Sequence, residues 1–118
     1  MKYFLLIFGI LISTITACGQ DNVAKHQKYK KSDIVIIDTR TQEEFNAGNV
    51  DGSLLIPYNE IGNKIASVVK DKSKPIAVYC RSGNRSGVAQ RILESMGYTN
   101  VVNYGGLGNA KRLLDAKK

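Results

Sequence analysis

Beyond the first eighteen residues, two stretches of the chain are apolar without interruption. Residues 34–37 read Ile-Val-Ile-Ile, and residues 76–80 read Ile-Ala-Val-Tyr-Cys. Short β-branched runs bounded by polar residues predict strands buried on both faces. Two shorter strands are expected at 54–56, stopped by Pro57, and within Asn-Val-Val-Asn-Tyr at 100–104. Between the strands the apolar positions change to a helical period. Ile61, Ile65, Val68 and Val69 form one stripe, for which Asn59 is the expected cap. Val88, Ala89, Ile92, Leu93 and Met96 form another, ending at Gly97. Thr41 and Glu44 have the spacing of a capping box for a short helix. The glycine-rich start of 105–118 gives way to a last helix. Strands alternating with helices imply an α/β fold with a largely parallel sheet, filling residues 33–118 as one domain.

A third apolar run, at 4–12, has a different meaning. Lys2 precedes it and the small residues Thr16 and Ala17 follow it, which is the order of a secretory signal peptide over residues 1–17. The run is shorter than the about 20 apolar residues that span a bilayer. Ile15-Thr16-Ala17-Cys18 also resembles a bacterial lipobox, with Ile where Leu is usual. The resemblance implies a mature chain that begins at a lipid-modified Cys18 and is held at a membrane on the periplasmic side, with no spanning helix. A thioether at Cys18 cannot pair with Cys80, the other of the two cysteines. If the thiol is not lipidated, the product is a soluble periplasmic protein. Residues 18–32 are polar and lysine-rich, with no apolar period, and are expected to be a flexible tether. The single histidine, His26, lies there and is expected to be solvated, with no metal or catalytic role.

Composition changes little in this picture. The 118 residues are 43% hydrophobic and 23% charged, which suits one globular domain. Lys+Arg 17 against Asp+Glu 10 leaves a net charge of +7. The lysines are spread over 25–31, 70–74 and 111–118, and no aromatic residues alternate with them as a base-stacking surface requires. Nucleic acid is therefore not an expected partner. Small anions are.

The chemistry concentrates where the second long strand stops. Residues 79–87 read "YCRSGNRSG". Open α/β sheets bind ligands beyond the carboxyl ends of their strands, and Cys80 is such an end. Residues 80–85 must then curl between that end and a helix expected to begin near Ser86. The helix N-terminus brings unpaired N–H groups and partial positive charge. Gly83 and Gly87 let backbone N–H groups turn inward, and Arg81 and Arg85 add full charges. These features favour an anion at the loop centre: a Cys80 thiolate with an anionic substrate beside it.

"CRSGNRS" resembles the active-site loop of the single-domain rhodanese (thiosulfate sulfurtransferase) family. "IIDTR", "EEFNAGNVDGSLLIP" and "MGYTNVVNYGGL" resemble three further family segments in the family's order. The likeness covers about residues 33–110, particularly to the small periplasmic rhodaneses of the phage-shock type. It implies a rhodanese-like fold, a mostly parallel sheet flanked by helices on both faces. It implies a nucleophilic Cys80 that takes the outer sulfur of thiosulfate as a persulfide and passes it to cyanide, a thiol or a thiol protein. Backbone groups of Arg81, Ser82, Gly83, Asn84 and Arg85 would hold the persulfide, with no cofactor or metal, in a monomer. Arg85 is implied either to touch substrate or to tie the loop to an acid, with Asp38 and Glu44 as candidates, and Arg40 to lie near the substrate entrance. Asn49 stands where the family usually has His. Leu107 follows the glycine pair where an aromatic residue is common.

Two other readings compete. Cysteine phosphatases and arsenate reductases carry Cys-x5-Arg, whereas Cys80 and Arg85 make a shorter Cys-x4-Arg loop, better sized for one sulfur than for a tetrahedral oxyanion. A low-activity binding or sensing module is the other, although such domains have often lost the cysteine present here. A dithiol oxidoreductase would need a Cys-x-x-Cys pair, which is missing.

Overall fold

The computed structural model describes residues 23–117. Its strands are β1 (Val35–Asp38), β2 (Leu54–Leu55), β3 (Ile76–Cys80) and β4 (Val101–Gly106). Its helices are α1 (Gln42–Ala47), α2 (Ile61–Val68), α3 (Asn84–Ser95) and α4 (Leu107–Asp115). The strands form one parallel sheet in the order β2-β1-β3-β4. The α/β expectation and the fully buried β3 hold.

Alternation along the strands divides the core into two layers. Ile37, Ile76, Val78 and Val101 face α2 and α3, where they meet Ile61, Ile65, Ala89 and Leu93. Ile36, Ala77, Tyr79, Val102 and Tyr104 face the other way, against Ala110 and Leu114 of α4. Helices therefore cover both faces of the sheet. Cys80 follows Ile76 and Val78 in alternation, so its side chain belongs to the α3 side.

Local details depart from the sequence reading in two places. Thr41 and Glu44 do form the capping box of α1. Glu60 rather than Asn59 occupies the N-cap of α2, with no side-chain cap bond. And α3 starts at Asn84, ahead of Ser86, because Gly83 adopts φ +101° and turns the chain into the helix early.

The larger correction concerns residues 23–32. They are not a free tether. Short 3-10 turns at Ala24–His26 and Lys31–Asp33 lay this segment on the α4 side of the sheet, where Val23 and Tyr29 pack against the core. His26 is fully buried. Its Nε2 lies 3.1 Å from the carbonyl oxygen of Asn100 and its Nδ1 3.0 Å from the Tyr104 hydroxyl. A carbonyl only accepts, so Nε2 carries the proton and Nδ1 accepts from Tyr104. Lys117 Nζ closes the segment from outside by donating to the carbonyls of His26 and Tyr29. A polar stretch was expected to be solvated because no single residue in it announces burial. The histidine docks because two partners 74 and 78 residues away satisfy both ring nitrogens. The domain thus begins no later than Val23. The signal-peptide and lipobox expectations lie at residues 1–18, outside the described residues. Among the described residues no helix is long and apolar enough to cross a membrane.

Candidate active site

Cys80 ends β3 with its side chain fully buried under the N-terminus of α3. The Gly83 N–H donates to Sγ at 2.9 Å, and the Ser86 hydroxyl lies 3.4 Å from it. The backbone N–H groups of Ser82 and Ser86 add to the field that favours an anion at the sulfur. Burial pushes the thiol up, but the Ser86 hydroxyl and the N–H groups of Ser86, Gly83 and Ser82 outweigh it, leaving Cys80 below the usual thiol range. Of residues 81–85, expected to form the cradle, Gly83 donates directly to the sulfur. Ser86 supplies both a backbone and a side-chain donor, and the sequence reading had stopped the cradle at Arg85.

Two of the three arginines take the loop-support side of the expectation. Arg85 donates from Nη1 and Nη2 to Glu44 Oε1 and Oε2, at 2.8 and 3.0 Å. That bidentate pair fastens the loop to α1 and resolves the choice between Asp38 and Glu44 in favour of Glu44. Bonding to Arg85, chiefly, holds the Glu44 carboxyl down at about 2. Asp38 belongs instead to Arg40, which reaches it from Nε at 2.8 Å and Nη2 at 2.6 Å and also donates to the Gly48 carbonyl. Arg40 is only 6% exposed, so its guanidinium is a buried brace and does not stand open at a substrate entrance. The salt bridge to Asp38 raises Arg40, chiefly through its hydrogen bonds. Arg81 is exposed and takes part in no salt bridge among the described residues. Two of the three nearby guanidinium charges are therefore spent on carboxylates, and hydrogen bonds do most of the work at the sulfur.

The loop is backed by β4. The register with β3 runs Val78↔Asn103 and then Cys80↔Gly106, so β4 holds one extra residue there. This bulge, with Gly105 at φ +80°, brings the glycine pair under the loop. Asn103 ties the two together: its Nδ2 donates to the Gly83 carbonyl at 3.0 Å and its Oδ1 accepts from the Gly105 N–H at 2.9 Å. The Ser86 hydroxyl lies 2.7 Å from the same Oδ1. Ser86 adjoins the loop in sequence and was legible as a neighbour of Cys80. Asn103 was not, because only the sheet brings it there. Asn49 donates from Nδ2 to the Phe45 carbonyl at 2.8 Å and so finishes α1 as a structural residue. Leu107 is partly buried and approaches Gly48 across the rim.

The larger of two described cavities, about 710 Å³, is on the opposite sheet face, lined by Val23, Tyr29, Tyr104 and Leu113 among others. It is remote from Cys80 in layer and chemistry. The site is accordingly assigned from the thiol and its donors.

Comparison with known proteins agrees with this geometry. The family model described as Rhodanese-like domain matches residues 21–110, which includes the docked N-terminal segment. The chain is 45% identical over 71 residues to thiosulfate sulfurtransferase PspE of Escherichia coli, covering 60% of this chain and 68% of that protein. It is 30% identical over 116 residues to thiosulfate:glutathione sulfurtransferase of Saccharomyces cerevisiae, covering 80% and 84%. A solved structure of rhodanese with anions from E. coli superimposes with a TM-score of 0.63 at 42% identity, covering 64% of this chain and 89% of that one. A buried thiol at a strand end, a loop closed on it by a helix N-terminus, and a match over most of the domain lead to one conclusion: this chain belongs to the rhodanese-like domain family.

Proposed function

We propose that the protein is a thiosulfate sulfurtransferase working through a persulfide on Cys80. The observation that carries this reading is the set of donors converging on one buried sulfur. The Cys80 thiolate attacks the outer sulfur of thiosulfate. A bond forms between Sγ and that sulfur, the S–S bond of thiosulfate breaks, and its electron pair leaves with sulfite. The terminal persulfide sulfur is an anion in the same N–H cradle. A cyanide ion or a thiolate then attacks it, and Cys80 leaves as the thiolate that began the cycle. Arg81 draws the dianionic donor to the loop, while Arg85 with Glu44, and Arg40 with Asp38, hold the loop's shape. All these groups come from a single chain, so a monomer suffices.

The bidentate Arg85–Glu44 pair argues against a phosphatase, whose loop arginine must be free to clasp phosphate oxygens. The convergence of donors on the sulfur argues against a purely binding module. Incubating the protein with thiosulfate should add about 32 Da to Cys80, the mass of one sulfur, and Cys80→Ser should abolish both adduct and turnover. Turnover of a phosphate ester without any sulfur adduct would overturn the assignment.

We further propose export with lipid anchoring at Cys18, on the strength of the signal pattern and lipobox. Because Val23 is already docked, the span from Cys18 to it reaches at most about 18 Å, so the domain would sit close to the membrane. Cys18→Ala should move the protein from the membrane fraction to the soluble one. Unchanged fractionation would mean that no lipid is attached.

A further inference from the structure

The Ser86 hydroxyl has one proton and three acceptors around it. Asn103 Oδ1 lies at 2.7 Å, the Gly83 carbonyl at 3.1 Å and Cys80 Sγ at 3.4 Å. The orientation of the Asn103 amide is fixed by its other partners. Its Nδ2 must face the Gly83 carbonyl, and its Oδ1 must face the Gly105 N–H; the flipped amide would lose both bonds. Asn103 therefore shows Ser86 a carbonyl and never an NH₂.

We propose that Asn103 is a positioning residue for Cys80: its carbonyl holds the Ser86 proton while Cys80 is a thiol and yields it to the sulfur when Cys80 is a thiolate. With the Ser86 hydroxyl directed at Asn103 Oδ1, 2.7 Å away, the Ser86 oxygen is left free to accept from the Cys80 S–H. When the thiol loses its proton, Sγ becomes the stronger acceptor, and rotation about the Ser86 Cβ–Oγ bond redirects the hydroxyl to it. Asn103 Oδ1 keeps its bond from the Gly105 N–H and is not orphaned. The same hydroxyl thus pairs the sulfur in both charge states, and Asn103 sets the balance between them. No proton leaves Ser86 at any point; only its direction changes. The charged groups facing Cys80 do not duplicate this role. Arg85 is paired with Glu44 and Arg40 with Asp38, and Arg81 is exposed on the loop's outer side.

This inference rests on Cys80 as the reacting thiol. Its test is independent of sulfur transfer. The rate of iodoacetamide alkylation at Cys80, read on the Cys80 peptide by mass spectrometry, is followed against pH in the full chain. Ser86→Ala should raise the midpoint by about half to one pH unit, the loss of about one hydrogen bond to the thiolate. Asn103→Leu, which removes the competing acceptor, should lower the midpoint in the parent and leave it unchanged beside Ser86→Ala. Asn103→Asp, nearly isosteric, should raise it more in the parent than beside Ser86→Ala, because a carboxylate holds the Ser86 proton harder. If Asn103→Leu fails to fold, the Asn103→Asp pair alone decides. Equal shifts with and without the Ser86 hydroxyl would mean that Asn103 acts only through loop shape, and would overturn the proposal. A rise in the midpoint with Asn103→Leu would overturn it also. Midpoint shifts as expected in a protein that transfers no sulfur would instead sink the sulfurtransferase reading and leave this one standing.

Discussion

A Cβ atom placed on Gly106 would stand 2.5 Å from the carbonyl oxygen of Arg81. Both groups are backbone, one in β4 and one in the loop over Cys80, so neither can swing aside. On the other side of the same contact, a Cβ on Gly83 would meet the Gly105 Cα at 3.4 Å. The glycine pair is what lets the loop lie flat on the bulge, and the loop's position in turn aims its N–H groups at Sγ.

Gly106→Ala should therefore displace the loop and remove most persulfide formation, whereas Gly108→Ala should not. Gly108 lies inside α4 with open space around its missing Cβ. Alanine there should raise stability by about 0.5–1 kcal/mol through helix propensity. Thermal unfolding and the thiosulfate adduct, measured on both variants, separate the two effects. An active Gly106→Ala variant would show that the close approach is dispensable.

Arg81 and Arg85 should fail in different ways. Arg81→Ala should raise KM for thiosulfate, increasingly at low salt where exposed charge steers best, with kcat little changed. Arg85→Ala should lower kcat, because the loop loses its tie to Glu44. The stability cost of losing this partly exposed pair should stay below about 1 kcal/mol. Steady-state kinetics at two ionic strengths distinguish the cases; identical defects in both variants would contradict the assignment. The pair also predicts a pH dependence. The folded Glu44 carboxyl lies at about 2, below its ordinary 4.5, so its contribution is complete above 4.5 and disappears as pH falls toward 2.

Cys80 should titrate below the usual thiol value of 9.0. The thiolate is favoured by folding, so the sulfur's reactivity should appear at lower pH in the native protein than in the denatured chain. Alkylation profiles of both forms, read on the Cys80 peptide, test this. Coincident midpoints would show that the donor set does not stabilise the anion.

His26 predicts a second titration, on the back of the sheet. Burial, the leading cause, with the nearby charges of Lys117 and Lys25, holds the ring below its ordinary 6.5. The unfolded ring takes up a proton first, so the docked state is fully stable above 6.5 and weakens as pH falls below it. Protection factors of the amides in residues 23–32, corrected for intrinsic exchange, should fall between pH 7 and pH 5 in the parent and lose that dependence in His26→Phe. Removing the ring with His26→Ala should cost about 1–3 kcal/mol, since the Tyr104 hydroxyl loses its buried partner. Tyr104 cannot compensate by ionising, because burial pushes it up to about 12. Protection factors independent of pH in the parent would remove His26 from this role.

Much of the molecule was legible along the chain. Residues 34–37 and 76–80 are apolar in every position because strands covered on both faces have no solvent side. The Thr41–Glu44 box and the Cys80 loop were readable because their partners are a few residues apart, where the chain itself sets the distance. The start of α3 was misplaced only slightly, since a left-handed Gly83 shortens the path into the helix.

The rest was decided by contacts between distant segments. Whether Arg85 reached Asp38 or Glu44 depended on where Arg40 went, and Arg40 is only two residues from Asp38. His26 was invisible as a buried residue because its partners, Asn100 and Tyr104, belong to the far edge of the sheet. Asn103 became part of the site only through the β4 bulge, which no periodicity announces. The sequence by itself determined the strands, the helices and which sulfur sits at the loop. The tertiary structure alone determined which charges are already neutralised and which groups hold that sulfur, because hydrogen bonds and ion pairs are chosen by proximity in space, and pattern along the chain carries only the near part of that proximity.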